Sequence, residues 1–362
     1  MKVDPKYMHR CLELARQGNV APNPMVGAVL VYGDRIIGEG YHRRFGQRHA
    51  EVDALRTCAG SPRGATAYVT LEPCCFHGKT PPCSRALIDA GIVRVVAAML
   101  DIDPRVAGGG VRQLRAAGIE VEIGLHGKQA EWLNAPYLKR HRTGRPWVIL
   151  KWAQSLDGKI ATRTGDSKWI SDDTARAHAH RVRGRVDGIM VGVGTALRDD
   201  PLLTARVGRV RRTATRIVVD THLRVRAKSR LVLSANDAPV LLVCGRDASK
   251  VKAARLERAG CRVMRIRRAR GALSMPDLLD RMGREEMSNL LVEGGGRLLG
   301  AFADGRLGDE VHVYIGPMVV GGDNAVPAVG GRGAATIRSA IALPEETRMR
   351  RMGNGWLAEA RI

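Results

Sequence analysis

Aromatic side chains are scarce in this chain of 362 residues, because Phe, Trp and Tyr together make up only 4% of it. Proteins that bind single-stranded nucleic acid stack bases on such rings, so the chain is poorly equipped for that role. No apolar run approaches the roughly 18 residues that suggest a membrane-spanning helix. The first residues, MKVDPKYMHR, lack the apolar core of a secretory signal peptide. We therefore expect a cytoplasmic protein with neither a nucleic-acid nor a membrane partner.

Cysteine is also sparse, with seven residues scattered along the chain. A disulfide framework normally uses an even number of cysteines at characteristic spacings. Reduced thiols are therefore expected, as is usual for a cytoplasmic protein.

Acidic residues are in deficit: 36 Asp and Glu stand against 59 Lys and Arg, which gives a formal net charge of +23. Clustered Lys and Arg can neutralise nucleic-acid phosphates, but here the arginines are spread along the second half of the chain. A basic protein is equally suited to anionic small molecules, such as a phosphorylated substrate and a dinucleotide. The runs of arginine are best interpreted as solvated faces.

What the chain does contain is a group of metal-binding side chains between His49 and Cys83, in the segments HAE, LEPCC and GKTPPC. The imidazole of His49 and the thiolates of Cys74 and Cys83 can hold zinc and leave a fourth position open to water, as in catalytic zinc sites. Zinc lowers the pKa of bound water toward neutrality, and Glu51 can then move the proton to a ring nitrogen and to a departing amine. Nucleobase deaminases carry the pattern H-x-E…P-C-x-x-C, although eight residues separate the two cysteines here.

Two neighbouring residues are alternative ligands. Cys75 directly follows Cys74, but the Pro-Cys signature favours Cys74, and Cys75 is then expected to face elsewhere. His77 could in principle bind the metal, although Cys83 fits better. We predict one zinc ion per chain.

The hydrophobic pattern predicts strands that alternate with helices in the first part of the chain. Asp4 and Pro5 predict the start of a helix, and VGAVLVY and RIIGEGYH predict two strands joined by a hairpin. One helix should begin near His49 and another near Cys83. TAYVTLEPC predicts a strand that ends at Cys74, and RVVAAML and VEIGL predict further strands. This alternation indicates an α/β/α layered fold.

A linker is predicted at Thr143-Gly144-Arg145-Pro146, where the basic run LKRHR ends and the apolar strand PWVILKWA begins. We therefore expect domains at 1–143 and 147–362. The second contains two glycine loops, GVGT before a helix and GGG between a strand and a helix. Such loops let a phosphate approach the backbone N–H groups at a helix start. Together they favour nucleotide binding, although neither is the Rossmann pattern.

The motifs PNPMVGAV, GEGYH, HAEVDAL, YVTLEPC and GKTPPC, followed by KWAQSLDGKIAT, SKWIS, DGIMVGVGTALRDDP, RIVVD and LLVEGGGRLLGAF, resemble the bifunctional riboflavin-biosynthesis deaminase/reductases of the RibD/RibG family. The resemblance covers almost the whole length, and the long Cys–Cys spacing is characteristic of that family. It implies an N-terminal cytidine-deaminase-like three-layer α/β/α domain followed by a dihydrofolate-reductase-like α/β domain. It also implies one zinc ion, NADPH and a phosphorylated pyrimidine substrate. A homo-oligomer is expected.

The resemblance further implies the two reactions. The first domain would deaminate 2,5-diamino-6-ribosylamino-4(3H)-pyrimidinone 5′-phosphate. The second would use NADPH to reduce the ribosyl group at C1′, giving 5-amino-6-(5-phospho-D-ribitylamino)uracil. The main alternative is an enzyme that edits tRNA adenosine, which would share HAE and PC and would explain the basic charge. It would not explain the second domain or the cysteine spacing.

The resemblance assigns binding residues in both domains. In the first, the substrate would be held by Asn23, His42, Lys79 and Thr80. In the second, NADPH would contact Ala153, Trp169, Thr195, Asp199, Thr221, Gly295, Gly296, Arg297, Leu298, Leu299, Gly300 and Ala301. The reductase substrate would contact Ser167, Arg183, Leu203, Arg206 and Glu293.

The catalytic candidates are Glu51 for deamination and Lys151 and Asp199 for reduction, with Glu293 as a further ionisable group near the sugar. Arg224 lies with Thr221 just after the strand RIVVD, where the 2′-phosphate of NADPH would bind. One position departs from the family, which usually has His at the second residue after the first cysteine. This chain has Phe76 there, followed by His77.

Overall fold

The computed structural model describes residues 3–78, 80–208, 212–269 and 271–362. Contacts divide the chain into two compact units, Met1–Thr143 and Gly144–Ile362. Within the described residues, no helix combines the length and the apolar character needed to cross a membrane.

The first unit contains one five-stranded sheet with helices packed against it. Its elements are α1 Pro5–Ala15, β1 Gly27–Tyr32, β2 Arg35–Tyr41, α2 Ala50–Arg56, β3 Thr66–Val69, α3 Cys83–Asp89, β4 Arg94–Ala97, α4 Gly109–Ala116, β5 Glu120–Ile123, α5 Gly127–Leu133 and α6 Ala135–Thr143. The strand order is β2-β1-β3-β4-β5. The strand β1 is antiparallel to β2 and β3, whereas β3, β4 and β5 are parallel.

Local chemistry explains where the first helices lie. The carboxylate of Asp4 accepts a hydrogen bond from the backbone N–H of Lys6 at 3.0 Å, and Pro5 occupies the first turn, as predicted for the start of α1. The helix α2 packs so closely on β2 that a Cβ atom on Gly40 would lie 2.2 Å from the backbone nitrogen of Ala54. This contact needs glycine and fixes α2, whose first turn carries Glu51, against the sheet.

The prediction of a strand that ends at Cys74 is wrong. The strand β3 ends at Val69, and a loop follows as far as Pro82. Beyond Val69, Thr70 still donates its N–H to Gly27 and Glu72 donates to Met99, but Pro73 has no N–H with which to continue this pairing. Cys74 therefore lies on a loop rather than on a strand.

The second unit is built on a nine-stranded sheet. Its elements are β6 Trp147–Ser155, β7 Lys159–Ala161, α7 Asp173–Arg183, β8 Gly188–Gly192, α8 Val193–Asp199, β9 Thr215–Val219, α9 Arg230–Leu233, β10 Val240–Gly245, α10 Lys250–Arg258, β11 Arg262–Ile266, β12 Arg268–Ala269, β13 Ala272–Leu273, α11 Met275–Arg284, β14 Asn289–Glu293, α12 Gly296–Asp304, β15 Glu310–Gly316, β16 Val326–Pro327, a 3₁₀ turn Ile337–Ser339, β17 Arg348–Met352 and β18 Gly355–Arg361.

The order of the large sheet is β11-β10-β9-β8-β14-β6-β15-β18-β17. The strands from β11 to β15 are parallel, and β18 and β17 continue the sheet in antiparallel pairing. Successive residues of β6 belong to different hydrophobic clusters: Val148 and Leu150 to one, Ile149 to the other. Both faces of the central strands are therefore buried, as is usual for parallel sheets.

Candidate active sites in the two units

Three potential metal ligands of the first unit converge from the starts of two helices and the intervening loop. His49 is the N-cap of α2, Cys83 is the first residue of α3, and Cys74 lies in the preceding loop. The Nδ1 atom of His49 is 3.2 Å from the sulfur of Cys83 and 3.5 Å from that of Cys74. Two ligands of one tetrahedral zinc lie about 3.5 Å apart, given bonds of roughly 2.3 Å to sulfur and 2.0 Å to nitrogen. All three donor atoms lie within 4.8 Å of one another, so they fit one ion.

The two cysteines differ in how readily they ionise. The hydrogen bond from the thiol of Cys83, together with His49, holds the pKa of Cys74 well below its ordinary value despite burial. The backbone N–H of Cys83 also points at the Cys74 sulfur, at 3.4 Å. The same hydrogen bond to Cys74, together with burial, raises the pKa of the Cys83 thiol. Because the thiolate is the form that binds metal, Cys74 is prepared as a ligand before any ion arrives.

The two alternative ligands point elsewhere. The sulfur of Cys75 faces the carbonyl oxygen of Arg105 at 3.5 Å, on the side of α4. His77 is exposed and is not a member of the three-residue cluster. The ring of Phe76 lies under the guanidinium group of Arg105, 4.7 Å from its centroid. Phe76 therefore makes a cation–aromatic contact at the position where the resemblance implies a histidine.

Glu51 lies two residues after His49 in the first turn of α2 and is only 4% exposed. Burial raises the pKa of its carboxyl to about 7. A carboxyl with such a pKa can both accept and release a proton near neutral pH, which is what general acid–base catalysis requires. The structure thus combines a proton carrier with the metal ligands.

Two of the predicted substrate residues lie next to this cluster. The ring of His42 is 5.1 Å from that of His49, centroid to centroid. Its Nδ1 lies 2.9 Å from the carbonyl oxygen of Arg48 and must donate, so Nε2 can accept from the amide of Asn23 at 3.2 Å. Burial lowers the pKa of His42 to about 4, which keeps it neutral at physiological pH. Thr80 lies in the loop before α3, and Lys79 lies outside the described residues.

One structural residue of this site was missed from the sequence. The buried carboxylate of Glu72 accepts hydrogen bonds from the backbone N–H groups of Asp101, Gly108 and Val111, at 3.1, 2.9 and 3.1 Å. It therefore holds the segment that packs against the loop of Cys75. The sequence did contain a signal for this role. Glu72 directly precedes Pro-Cys in a metal-binding motif, but the H-x-E…P-C pattern assigns no metal-binding role to an acid at that position, so a structural role was the remaining interpretation.

Two of the three predicted ionisable residues of the second unit, Lys151 and Glu293, lie on adjacent strands of the large sheet, whereas Asp199 ends α8. Glu293 ends β14 and is in register with Lys151 of β6. Arg183, the last residue of α7, makes a two-pronged ion pair with Glu293, with Nε 2.8 Å from Oε1. Burial alone would raise the pKa of Glu293, but Arg183 and Lys151 lower it to about 2. Burial also lowers the pKa of Lys151, so the lysine releases its proton more readily than usual.

Two further residues support Lys151 and were not predicted. Its Nζ lies 5.4 Å from the ring centroid of Tyr314 on the neighbouring strand β15. The hydroxyl of Tyr314 is 2.8 Å from Nδ1 of His178, whose Nε2 faces Arg350 at 3.2 Å. Because arginine only donates, Nε2 must accept, and Nδ1 donates to the tyrosine oxygen. These residues lie far apart in sequence, and no local pattern marks them.

The two predicted glycine segments lie together, but the prediction that GVGT is a loop before a helix is wrong, because α8 begins at Val193 and its first turn contains Gly194 and Thr195. Gly294 and Gly295 have positive φ angles of 68° and 76°, which glycine adopts without steric cost. A Cβ atom on Gly295 would be 3.1 Å from the hydroxyl of Thr195 in the first turn of α8. Gly296 then begins α12, so free backbone N–H groups face the same region. This arrangement fits the phosphates of a dinucleotide.

The other predicted residues of α12 have different surroundings. Leu298 and Leu299 are buried in a hydrophobic cluster, whereas Arg297 and Ala301 are exposed. A Cβ atom on Gly300 would lie 2.3 Å from the backbone of Gly330. Close packing of the chain therefore accounts for glycine at position 300.

The remaining predicted contacts are mostly exposed. Trp169 is 67% exposed, and the guanidinium group of Arg176 covers its ring at 4.3 Å. Leu203 is buried, with a positive φ of 51°. Thr221 follows β9, and its carbonyl accepts from Gly245 at 3.0 Å. The other residues are Ala153, which is half-buried, and Ser167, Asp199, Arg206 and Arg224, which are exposed.

Comparison with known families matches both units. Residues 1–99 match the family model described as the cytidine and deoxycytidylate deaminase zinc-binding region. Residues 146–358 match the RibD C-terminal domain. The two matches fall on the metal cluster and on the nine-stranded unit.

Whole-length relatives show the same pairing of domains. The chain is 41% identical to the riboflavin biosynthesis protein RibD of Actinobacillus pleuropneumoniae, over 94% of this chain and 90% of that protein. It is also 41% identical to RibD of Escherichia coli strain K12, over 88% of this chain and 89% of that protein.

Solved structures agree. RibD of Acinetobacter baumannii, form 1, superimposes with a TM-score of 0.87 at 32% identity, covering 99% of this chain and 98% of that one. A diaminohydroxyphosphoribosylaminopyrimidine deaminase/5-amino-6-(5-phosphoribosylamino)uracil reductase from Thermotoga maritima does so with a TM-score of 0.83 at 32% identity, with the same coverage.

Proposed function

The chain belongs to the RibD family of bifunctional riboflavin-biosynthesis enzymes, and on that premise we propose which residues carry out its two reactions. Its first domain is a zinc-binding deaminase with a cytidine-deaminase-like fold, and its second is an NADPH-dependent reductase with a dihydrofolate-reductase-like fold. The predicted fold class, activity and cofactors are thereby confirmed. The tRNA-editing alternative is not supported, because it leaves the match over residues 146–358 unexplained.

The substrates proposed for this chain follow the activities in the name of the Thermotoga maritima protein. The first domain deaminates 2,5-diamino-6-ribosylamino-4(3H)-pyrimidinone 5′-phosphate, and the second reduces the ribosyl side chain of the product to ribityl. A cytoplasmic location is part of the proposal and is supported by the seven unpaired cysteines. Self-association into a homo-oligomer is also part of the proposal, and light scattering on the purified protein would test it.

For deamination, His49, Cys74 and Cys83 hold the zinc ion, and Glu51 carries the proton. When bound, zinc makes a water molecule acidic enough to supply the nucleophile at neutral pH. Glu51, with its raised pKa, takes one proton from the attacking water and delivers it to a ring nitrogen, then carries the water's second proton, released as the carbonyl forms, to the leaving amine. The amide of Asn23 pairs with the pyrimidine edge, and neutral His42 fixes that amide by accepting its hydrogen bond. Thr80 and Lys79 complete the proposed contacts to the phosphoribosyl group.

For reduction, Lys151 is the proposed proton donor to the sugar oxygen. NADPH would supply the hydride, and the helix starts at Thr195 and at Gly295 and Gly296 would hold its phosphates. The fork of Arg183 is already engaged by Glu293, so this pair orients Lys151 rather than gripping a substrate phosphate. Exposed Arg206 is the better candidate for that phosphate, with Ser167 and Leu203 as neighbouring contacts. Asp199 is proposed as a second proton-handling residue. The proposed cofactor contacts are Trp169, Ala153 and Thr221.

The observation that carries the proposal is the meeting of His49, Cys74 and Cys83 beside a buried Glu51. The test supplies zinc-loaded protein with the phosphorylated diaminopyrimidine and NADPH and follows ammonia release and NADPH oxidation separately. We expect one ammonia and one oxidised NADPH for each substrate consumed, with ammonia appearing first. Ammonia release without any NADPH oxidation, or neither event, would contradict the proposal.

A further inference from the structure

A cavity of about 410 Å³ lies in the first unit, beside the metal-binding segments. Its volume is within the range of about 300–1,000 Å³ that is usual for small-molecule sites. It is lined by Arg43, Gly46, Gln47, Arg48, Asp53, Arg56 and Thr80. Arg48 immediately precedes His49 in the chain, and Thr80 lies three residues before Cys83. The cavity therefore adjoins both segments that carry metal ligands.

Two of the three arginines of the cavity, Arg43 and Arg56, pair with one buried acid. The side chain of Asp53 is only 5% exposed, and its Oδ2 lies 3.1 Å from Nη2 of Arg43. Its Oδ1 lies 3.8 Å from Nη2 of Arg56. The guanidinium group of Arg43 also stacks on the ring of Tyr41, 4.4 Å from the centroid. The stacking on Tyr41 and the ion pair with Asp53 therefore both fix the position of the Arg43 guanidinium group.

The charge of the cavity suits a doubly charged anion. Three guanidinium groups and one carboxylate line it, which gives a net charge of +2. A phosphate monoester carries about −1.5 to −2 at neutral pH. Guanidinium groups bind phosphate oxygens with two parallel hydrogen bonds, and a threonine hydroxyl can donate a further one. A single phosphate group would therefore neutralise this lining.

We propose that this cavity binds the phosphate of the deaminase substrate, with Arg43 and Arg48 as the residues that select the phosphorylated compound. The inference rests on the proposed function of the first domain and adds arginines to the contacts assigned to Thr80 and Lys79. Binding of the phosphate here holds the pyrimidine end of the substrate toward His49 and Glu51. Asp53 acts as a positioning residue, since it orients Arg43 and Arg56 without touching the phosphate.

The experiment replaces Arg43 and Arg48 by Ala, singly and together, in the full-length zinc-loaded enzyme. Arg44→Ala is the matched control, because Arg44 is an exposed arginine of the same loop that does not line the cavity. Ammonia release is measured with the phosphorylated substrate and with the same compound after phosphatase treatment. Zinc content reports the integrity of the first unit, and NADPH oxidation with the deaminated intermediate reports that of the second.

Each single variant should raise KM for the phosphorylated substrate about tenfold, as expected for the loss of one charged hydrogen bond, and should leave kcat within about twofold. KM for the dephosphorylated compound should not change, so the preference of the enzyme for phosphate should fall. Inorganic phosphate should inhibit the wild-type enzyme competitively and the double variant at least about tenfold more weakly. Arg44→Ala should behave as wild type in every assay.

Three results would overturn the inference. In an active wild-type enzyme, equal KM values for the two compounds would show that phosphate is not recognised. A double variant that keeps the wild-type KM would show that another group recognises it. Equal losses for both compounds would indicate a structural effect of the two arginines. A wild-type enzyme that releases no ammonia from either compound instead contradicts the proposed function, and the inference falls with it.

Discussion

The two units of this chain assemble their active groups in different ways. In the first, His49 and Cys83 are 34 residues apart and stand at the starts of two short helices. In the second, Arg183 and Glu293 are 110 residues apart and meet through the register of neighbouring strands and a covering helix. A site of the first kind leaves a compact motif in the sequence. A site of the second kind leaves isolated residues that only the sheet brings together.

The two sites also differ in what holds them. The first is a cluster of metal ligands, so a bound ion contributes to its stability. The second relies on a buried ion pair, in which each charge depends on its partner to offset the cost of leaving water. The comparison therefore predicts that removal of the metal affects the first unit, whereas removal of one charge of the buried ion pair affects the second.

The sharpest test of this difference is loss of one thiolate. Cys74→Ser and Cys83→Ser should each remove zinc and abolish ammonia release, because a serine hydroxyl is a poor substitute for a thiolate ligand. NADPH oxidation with the deaminated intermediate should persist. Cys75→Ser is the matched control and should keep both zinc and activity. Metal analysis that finds full zinc in either ligand variant would refute the assignment of that ligand.

The second unit should respond to loss of its buried acid. Glu293→Gln leaves Arg183 without a charged partner, and we expect the free energy of unfolding to fall by about 3–5 kcal/mol. The double variant Arg183→Met, Glu293→Gln should lose less than the two single variants combined, since the charges interact. Arg262→Ala removes an exposed pair with Glu285 and should cost less than about 1 kcal/mol. Denaturant unfolding of wild type, Glu293→Gln, Arg183→Met, the double variant and Arg262→Ala measures these losses, and additive losses in the double variant would argue against a coupled pair.

The same pair predicts an acid-dependent loss of stability. The pKa of Glu293 is lowered from its ordinary 4.5 to about 2 in the folded protein, so the charged form is favoured by folding. This stabilisation, about 3 kcal/mol, is fully present above pH 4.5 and is lost as the pH falls toward 2. Unfolding midpoints of wild type should therefore fall more steeply than those of Glu293→Gln over that range. Parallel curves would mean that the carboxylate is not stabilised by folding.

The smallest predicted effect concerns the cofactor. The side chain of Arg224, five residues after the end of β9, is 58% exposed, and its Nε lies 4.0 Å from Oδ1 of Asp220, which leaves its guanidinium group accessible. If it binds the 2′-phosphate, Arg224→Ala should weaken NADPH by about ten- to hundredfold and leave NADH nearly unchanged, since a charged hydrogen bond contributes about 1.5–3 kcal/mol. Arg226→Ala, an exposed neighbour, is the control. Equal losses for both cofactors, or none, would contradict the assignment.

Residues whose roles depend on their neighbours in the chain could be predicted from the sequence. The cap of α1 at Asp4 and the helix starts at His49 and Cys83 could be predicted from their neighbours. The strand predicted to reach Cys74 ends at Val69. The prediction was wrong because Leu71 continues the apolar pattern of the strand beyond the residue at which the regular pairing stops.

Residues whose roles depend on contacts between distant parts of the chain could not be predicted from the sequence. The ring of Tyr314 supports Lys151 only because β15 and β6 are neighbours in the sheet. The role of Arg43 depends on a carboxylate, Asp53, that is buried by the packing of α2 on β2. In a chain with 59 basic residues, nothing in the sequence distinguishes Arg43 from the arginines that face solvent.

The most direct test of two separate sites in one chain is the coupled assay on Glu51→Gln. With the phosphorylated diaminopyrimidine, ammonia release should fall by about 10²–10⁴-fold, the usual contribution of proton transfer, and NADPH oxidation should fall with it. With the deaminated intermediate, NADPH oxidation should proceed at the wild-type rate. Rapid NADPH oxidation by this variant from the diaminopyrimidine, or its loss with the intermediate as well, would contradict the account.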